Sequence, residues 1–154
     1  MTAPPPLQVH GTCVVLANTG VLLCGPSGSG KSDLALRLVD DGASLVADDR
    51  VDIVRRAGTL WASAPASLAG LLEVRGIGIV RLDGRAGRCA KRAKLGLVVD
   101  LTDRTRIERL PEPATRDYLG LTLPRIEIDP WTASAPAKLR LAAGLARQGK
   151  LFAH

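Results

Sequence analysis

The chain has 154 residues, 46% hydrophobic and 23% charged, enough for one domain with a sizeable core and too short for a second. Its formal net charge of +6 is mostly arginine and is densest over residues 81–94, but aromatics at 3% provide no interleaved stacking surface, so nucleic acid is not the expected partner. No apolar run is long enough to span a bilayer and no leader-like segment opens the chain. Cys13, Cys24 and Cys89 follow no metal-ligand spacing and read as small apolar residues of a reducing compartment, which makes the cytoplasm the expected location.

Residues 1–7 are proline-rich and expected to be loose, with a single domain over 8–154 and a first strand near Val9. Apolar runs at 12–17 and 21–24 flank Asn18-Thr19-Gly20, a hairpin signal. Residues 33–39 follow as a helix with Leu34, Ala35, Leu38 and Val39 on one face, stopped by Asp41-Gly42. A strand at 44–47 ends in Asp48-Asp49. Strands at 51–55 and 59–62 turn at Ala57-Gly58, and 71–76 leads into 78–80. Residues 81–94, with six cations and no apolar period, read as a solvated connection before a buried strand at 95–101. Alternation at 121–128 predicts another strand, and 135–148 a closing helix with Leu139, Leu141 and Leu145 available for packing. The expected fold is α/β, a mixed sheet with hairpins and two principal helices.

Between the second run and the first helix stands Gly25-Pro26-Ser27-Gly28-Ser29-Gly30-Lys31-Ser32, which fits the phosphate-binding pattern G-x-x-x-x-G-K-[ST]. Glycines let such a loop curl so that its N–H groups point at phosphate oxygens, and the helix start adds about half a positive charge. Lys31 is placed to reach the β- and γ-phosphates of ATP, and the Ser32 hydroxyl to ligate Mg²⁺. Lys31 is also the only lysine among the first ninety residues.

Phosphoryl transfer needs a metal, a cation on the phosphates and a group that positions the attacking oxygen. Asp48-Asp49 follows an apolar strand where such carboxylates belong, and neighbours on an extended segment point to opposite sides. Glu73 stands in an apolar strand, so a buried carboxylate with either an ion pair or a metal is expected. Gly76-Ile77-Gly78 reads as backbone passing close to something. His10 alone reads as structural.

His10-Gly11, the hairpin, the loop at 25–32, Val46-Ala47-Asp48-Asp49-Arg50-Val51 and Leu72-Glu73-Val74-Arg75-Gly76-Ile77-Gly78-Ile79 together resemble the catalytic domain of bacterial HPr kinase/phosphorylase over most of residues 8–130. The resemblance implies a P-loop kinase domain related to phosphoenolpyruvate carboxykinase. It also implies ATP- and Mg²⁺-dependent phosphorylation of a serine on an HPr-like phosphocarrier, with a reverse phosphorolysis. By the same resemblance Asp49 is the base and His10 its catalytic neighbour, Lys31 holds phosphate, and Ser32 and Glu73 hold Mg²⁺. Asp48, Arg75 and Gly76 support them, and Arg109 in Glu108-Arg109-Leu110 matches the catalytic arginine.

Two departures accompany the match. The N-terminal domain of long members is not expected, as in the short alphaproteobacterial form, and Asp129-Pro130-Trp131-Thr132-Ala133-Ser134-Ala135-Pro136-Ala137-Lys138 replaces a basic, glycine-rich segment linked to phosphorolysis. The family's hexamer implies a homo-oligomer. The competing reading is a regulatory sensor that binds ATP and a partner such as a two-component protein without turnover.

Overall fold

In a computed structural model describing residues 4–82 and 88–152, the strands and helices are β1 (Leu7–His10), β2 (Thr12–Leu16), β3 (Thr19–Cys24), α1 (Lys31–Asp40), β4 (Ser44–Ala47), β5 (Arg50–Arg56), β6 (Thr59–Ser63), β7 (Leu71–Val74), β8 (Gly78–Arg81), β9 (Arg92–Leu101), β10 (Ala114–Tyr118), β11 (Leu121–Ile128) and α2 (Ala135–Arg147). The main sheet runs β1-β5-β6-β9-β3-β2-β4, with β11 also on β9 and β10 on β11, while β7 and β8 form a separate ribbon. β9 is parallel to β3 and to β11, and the other pairs are antiparallel. This is the mixed α/β sheet with hairpins that the sequence predicts.

Three hairpins turn on two residues each: Ala17-Asn18, Ala57-Gly58 and Leu119-Gly120, with φ between 48° and 80°. Positive φ at both positions gives the turn whose twist matches paired strands. The first turn falls earlier than expected, because Thr19 and Gly20 already pair with Leu16 and Val15. Likewise Leu7, expected to be loose, pairs with Ile53 in β1.

β3 and β9 are buried on both faces. Val21, Leu23, Leu97 and Val99 meet Leu34 and Leu38 of α1 and Leu139 of α2. Leu22 and Val98 point the other way, to Val51, Ile53 and Leu60, where the curled sheet closes over itself. Pairing shifts from Gly20↔Leu95 to Val21↔Leu97, so Gly96 is a bulged residue and Leu95 and Leu97 enter different cores. A Cβ on Gly96 would lie 2.7 Å from the Thr19 methyl, and one on Gly20 2.6 Å from the Lys94 carbonyl oxygen.

Other expectations are corrected. The solvated connection is shorter than 81–94: Arg81 belongs to β8, β9 starts at Arg92, and Leu45 exchanges backbone hydrogen bonds with Arg88 and Ala90. Residues 83–87 of that segment lie outside the described residues. Leu141 is 65% exposed, so α2 packs through Leu139, Ala142 and Ala143 instead. β10 has no counterpart in the sequence pattern, since Ala-Thr-Arg-Asp-Tyr has little apolar content. Among the described residues no helix is long and apolar enough to cross a membrane.

A charged cluster fastens the β10–β11 hairpin to β9. Arg116 donates to both Asp100 oxygens, at 2.8 and 2.6 Å, and Arg125 donates to one of them. Burial raises the Asp100 carboxyl, but the hydrogen bonds from Arg116 and Arg125 outweigh it and hold the group below the usual aspartate range. A depressed folded pKa means stabilisation that is complete above the unfolded value of about 4 and is lost as pH falls through the folded one. Asp100→Asn is therefore expected to cost about 2–3 kcal/mol at neutral pH, less than for a fully buried pair, and to narrow the stability gap to the wild type in acid. Urea unfolding at neutral and acid pH measures both effects.

Candidate active site

The loop between β3 and α1 is built by three glycines with positive φ: 155° at Gly25, 83° at Gly28 and 101° at Gly30. A Cβ on Gly25 would lie 2.5 Å from the Ser29 hydroxyl. The Ser29 N–H donates to the Pro26 carbonyl at 3.0 Å, and α1 begins directly after Gly30, which supplies no side-chain cap to its first turn. Amides left open in this way favour an anion. Lys31 is 7% exposed, and its ammonium donates to the carbonyls of Gly25 (2.7 Å) and Pro26 (2.9 Å) and reaches the Ser29 hydroxyl at 3.5 Å. Burial pushes this ammonium below its ordinary pKa, against the opposing pull of Asp48 and Asp49.

The two aspartates separate sharply. Asp48 is 6% exposed and gathers three donors: the hydroxyls of Thr12 (2.9 Å) and Ser32 (2.8 Å) on Oδ1, and the Glu73 N–H (3.1 Å) on Oδ2. Asp49 has φ 70°, and the Arg50 N–H donates across it to the Asp48 carbonyl at 2.8 Å. That is a γ-turn of the strained hand, a conformation that persists only where surrounding contacts hold it. The holding contact is the Gly11 N–H on the Asp49 carbonyl at 3.1 Å. The turn leaves the Asp49 side chain 62% exposed, with Oδ1 3.2 Å from His10 Nε2.

A cavity of about 380 Å³ joins these parts, lined by His10, Asp49, Lys31, Ser32, Glu73 and Arg75 beside the loop. Glu73 is exposed, contrary to the expected buried carboxylate, because its ribbon of two strands buries only the face carrying Leu72. The expected close approach at Gly76 and Gly78 is also corrected. Among the described residues nothing lies within 4 Å of a Cβ at either, and their φ of 88° and 117° gives the reason for glycine. Arg109 is not brought into this cavity. It is exposed on the coil before β10 and lines a second one, about 420 Å³, with Arg104, Asp129 and Lys138.

Among the described residues no three His, Cys, Asp or Glu side chains form a cage for a metal. The Ser32 hydroxyl held on Asp48, with Glu73 facing the same cavity, is a hard oxygen donor set of the sort Mg²⁺ accepts together with phosphates. The residues thus fit the ion.

The family model HPr Serine kinase C-terminal domain matches residues 3–140. The chain belongs to that family. HPr kinase/phosphorylase of Bordetella pertussis is 40% identical over 129 residues, covering 79% of this chain and 42% of the relative. The protein of that name from Burkholderia lata is 41% identical over 130 residues, covering 80% and 40%. The chain spans about two-fifths of the length of these curated relatives. The solved structure of the Hpr(Ser) kinase/phosphatase from Coxiella burnetii superposes with a TM-score of 0.80 at 27% identity, covering 94% of this chain and 97% of that one. The fold is therefore that of the family's P-loop-type kinase domain.

Two residues at the site carry almost no sequence signal of a role there. Thr12 reads in the sequence only as strand, and its bond to Asp48 depends on the β2–β4 pairing. Trp131 lines the cavity from the far end of the chain, with only its rarity as a signal.

Proposed function

We propose that the chain is an ATP- and Mg²⁺-dependent serine kinase acting on an HPr-like phosphocarrier. The observation that supports this best is the His10–Asp49 pair, an accessible carboxylate held in a strained turn on the cavity that the phosphate loop enters. The loop amides and Lys31 would take the phosphates of ATP, the ammonium turning from loop carbonyls to phosphate oxygens. Ser32 and Glu73 would hold Mg²⁺, with Asp48 orienting the Ser32 hydroxyl, and the ion when bound would offset charge on the β- and γ-phosphates. Asp49 takes the serine proton as the serine oxygen bonds to the γ-phosphorus. The bond from that phosphorus to the bridging oxygen breaks, and ADP leaves with the electron pair. Arg75 adds a cation at the rim, and Gly76 lets the β7–β8 turn present it.

A protein acceptor fits better than a metabolite. Ile77 and Ile79, 77% and 72% exposed, stand on the ribbon whose Glu73 and Arg75 line the cavity, an apolar surface suited to a folded partner. A catalytic role for Arg109 requires the coil before β10 to move or a second copy, in the homo-oligomer that the resemblance implies, to deliver it. The sensor reading gives the His10–Asp49 pair no task. Purified protein with Mg-ATP is expected to transfer label to a serine of an HPr-like carrier. Normal ATP binding with no transfer to any such carrier would refute the kinase reading.

A further inference from the structure

We propose that Trp131 is the platform on which the nucleotide's base stacks, an assignment that rests on the nucleotide reading of the phosphate loop. The indole lines the same cavity as Lys31 and Ser32 and is nevertheless 63% exposed, a large apolar ring left to water beside a charged loop. It lies directly against the loop: a Cβ on Gly30 would be 2.9 Å from its Cζ2 and 3.1 Å from Pro130 Cγ. A base is tethered to its phosphates through one sugar, so a ring touching the last glycine of the loop is within reach of it.

The position is also built in advance. The Trp131 N–H donates to Asp129 Oδ1 at 2.9 Å, the Arg104 N–H to Asp129 Oδ2 at 3.0 Å, and the Thr132 hydroxyl to the Asp129 carbonyl at 3.1 Å. Arg37 of α1 donates to the Pro130 carbonyl, which couples the turn bearing the indole to the helix that starts at the loop. A ring whose backbone is already ordered loses little entropy when a ligand stacks on it. The other apolar side chains lining the cavity, Leu36 and Val74, are aliphatic and offer no π-face.

Calorimetric titration of the wild type, Trp131→Ala and Trp131→Phe with Mg-ATP and with Mg-tripolyphosphate separates the base from the phosphates. Trp131→Ala is expected to weaken ATP about ten-fold, with tripolyphosphate unchanged and Trp131→Phe recovering most of the loss. In a Trp61→Phe background, ATP should quench the remaining indole emission and tripolyphosphate should not. Equal weakening of both ligands would make Trp131 a prop for the loop and overturn the proposal. So would unchanged ATP affinity, whether or not transfer to a carrier falls, since the ring would then face the acceptor or nothing. A wild type that binds neither ligand would instead remove the nucleotide reading itself, and the platform with it.

Discussion

Asp49→Asn is expected to lower phosphoryl transfer to the carrier by about 10²–10⁴-fold while ATP binding is retained, because the amide cannot take the serine proton and the phosphate loop is untouched. Asp49→Gly makes a sharper comparison. It removes the carboxylate equally, but glycine occupies φ 70° without penalty, so the variant should melt higher than the wild type by the equivalent of about 1 kcal/mol. A more stable protein with no transfer would mean that the strain at Asp49 is retained for the reaction. Single-turnover transfer beside thermal melts reads both quantities. If Asp49→Asn kept full transfer, the proton would have to go elsewhere.

Asp48→Ala is expected to do the opposite, damaging fold and site together. It strips the acceptor from the Thr12 hydroxyl, which is fully buried, and from the Ser32 hydroxyl and the Glu73 N–H. One fully buried and two partly buried donors left without an acceptor should cost about 3 kcal/mol in all, or a fall in melting temperature of about 6–12 °C. Asp48→Asn should sit between, since its carbonyl still accepts from the hydroxyls while its NH₂ confronts the Glu73 N–H. Melting curves rank the three proteins. The response of ATP affinity to Mg²⁺ then tests the part of Asp48 that acts through Ser32.

Much of this arrangement can be read in the chain because its devices are local. The phosphate loop needs glycine where φ is positive and a lysine within reach of the phosphates, and both requirements fall within eight residues. The first two hairpins follow from apolar runs parted by short turns, whereas the third does not, since β10 has little apolar content. Opposed directions for Asp48 and Asp49 follow from strand geometry, but which of them is buried depends on Thr12 and Ser32 arriving from two other elements. Glu73 looks interior because its neighbours are apolar, yet a ribbon of two strands has only one face to bury. The bulge at Gly96 breaks the period of two within one strand, so Leu95 cannot be assigned to its core from the pattern. Trp131 meets Gly30 only through the tertiary fold.

The parallel pairing of β3 with β9 has a consequence for the order of assembly. The hairpins at Ala17-Asn18, Ala57-Gly58 and Leu119-Gly120 close over two residues and can form as soon as their strands exist. The strand that carries the phosphate loop must also find residues 95–100, with all the intervening chain as its closing loop. During synthesis its first partner, β2, is therefore seated long before its second, and the loop gains a rigid floor only after β9 has emerged. On the proposed nucleotide reading, affinity for ATP would be a late marker of folding, and bound ATP would favour finished molecules over partly assembled ones.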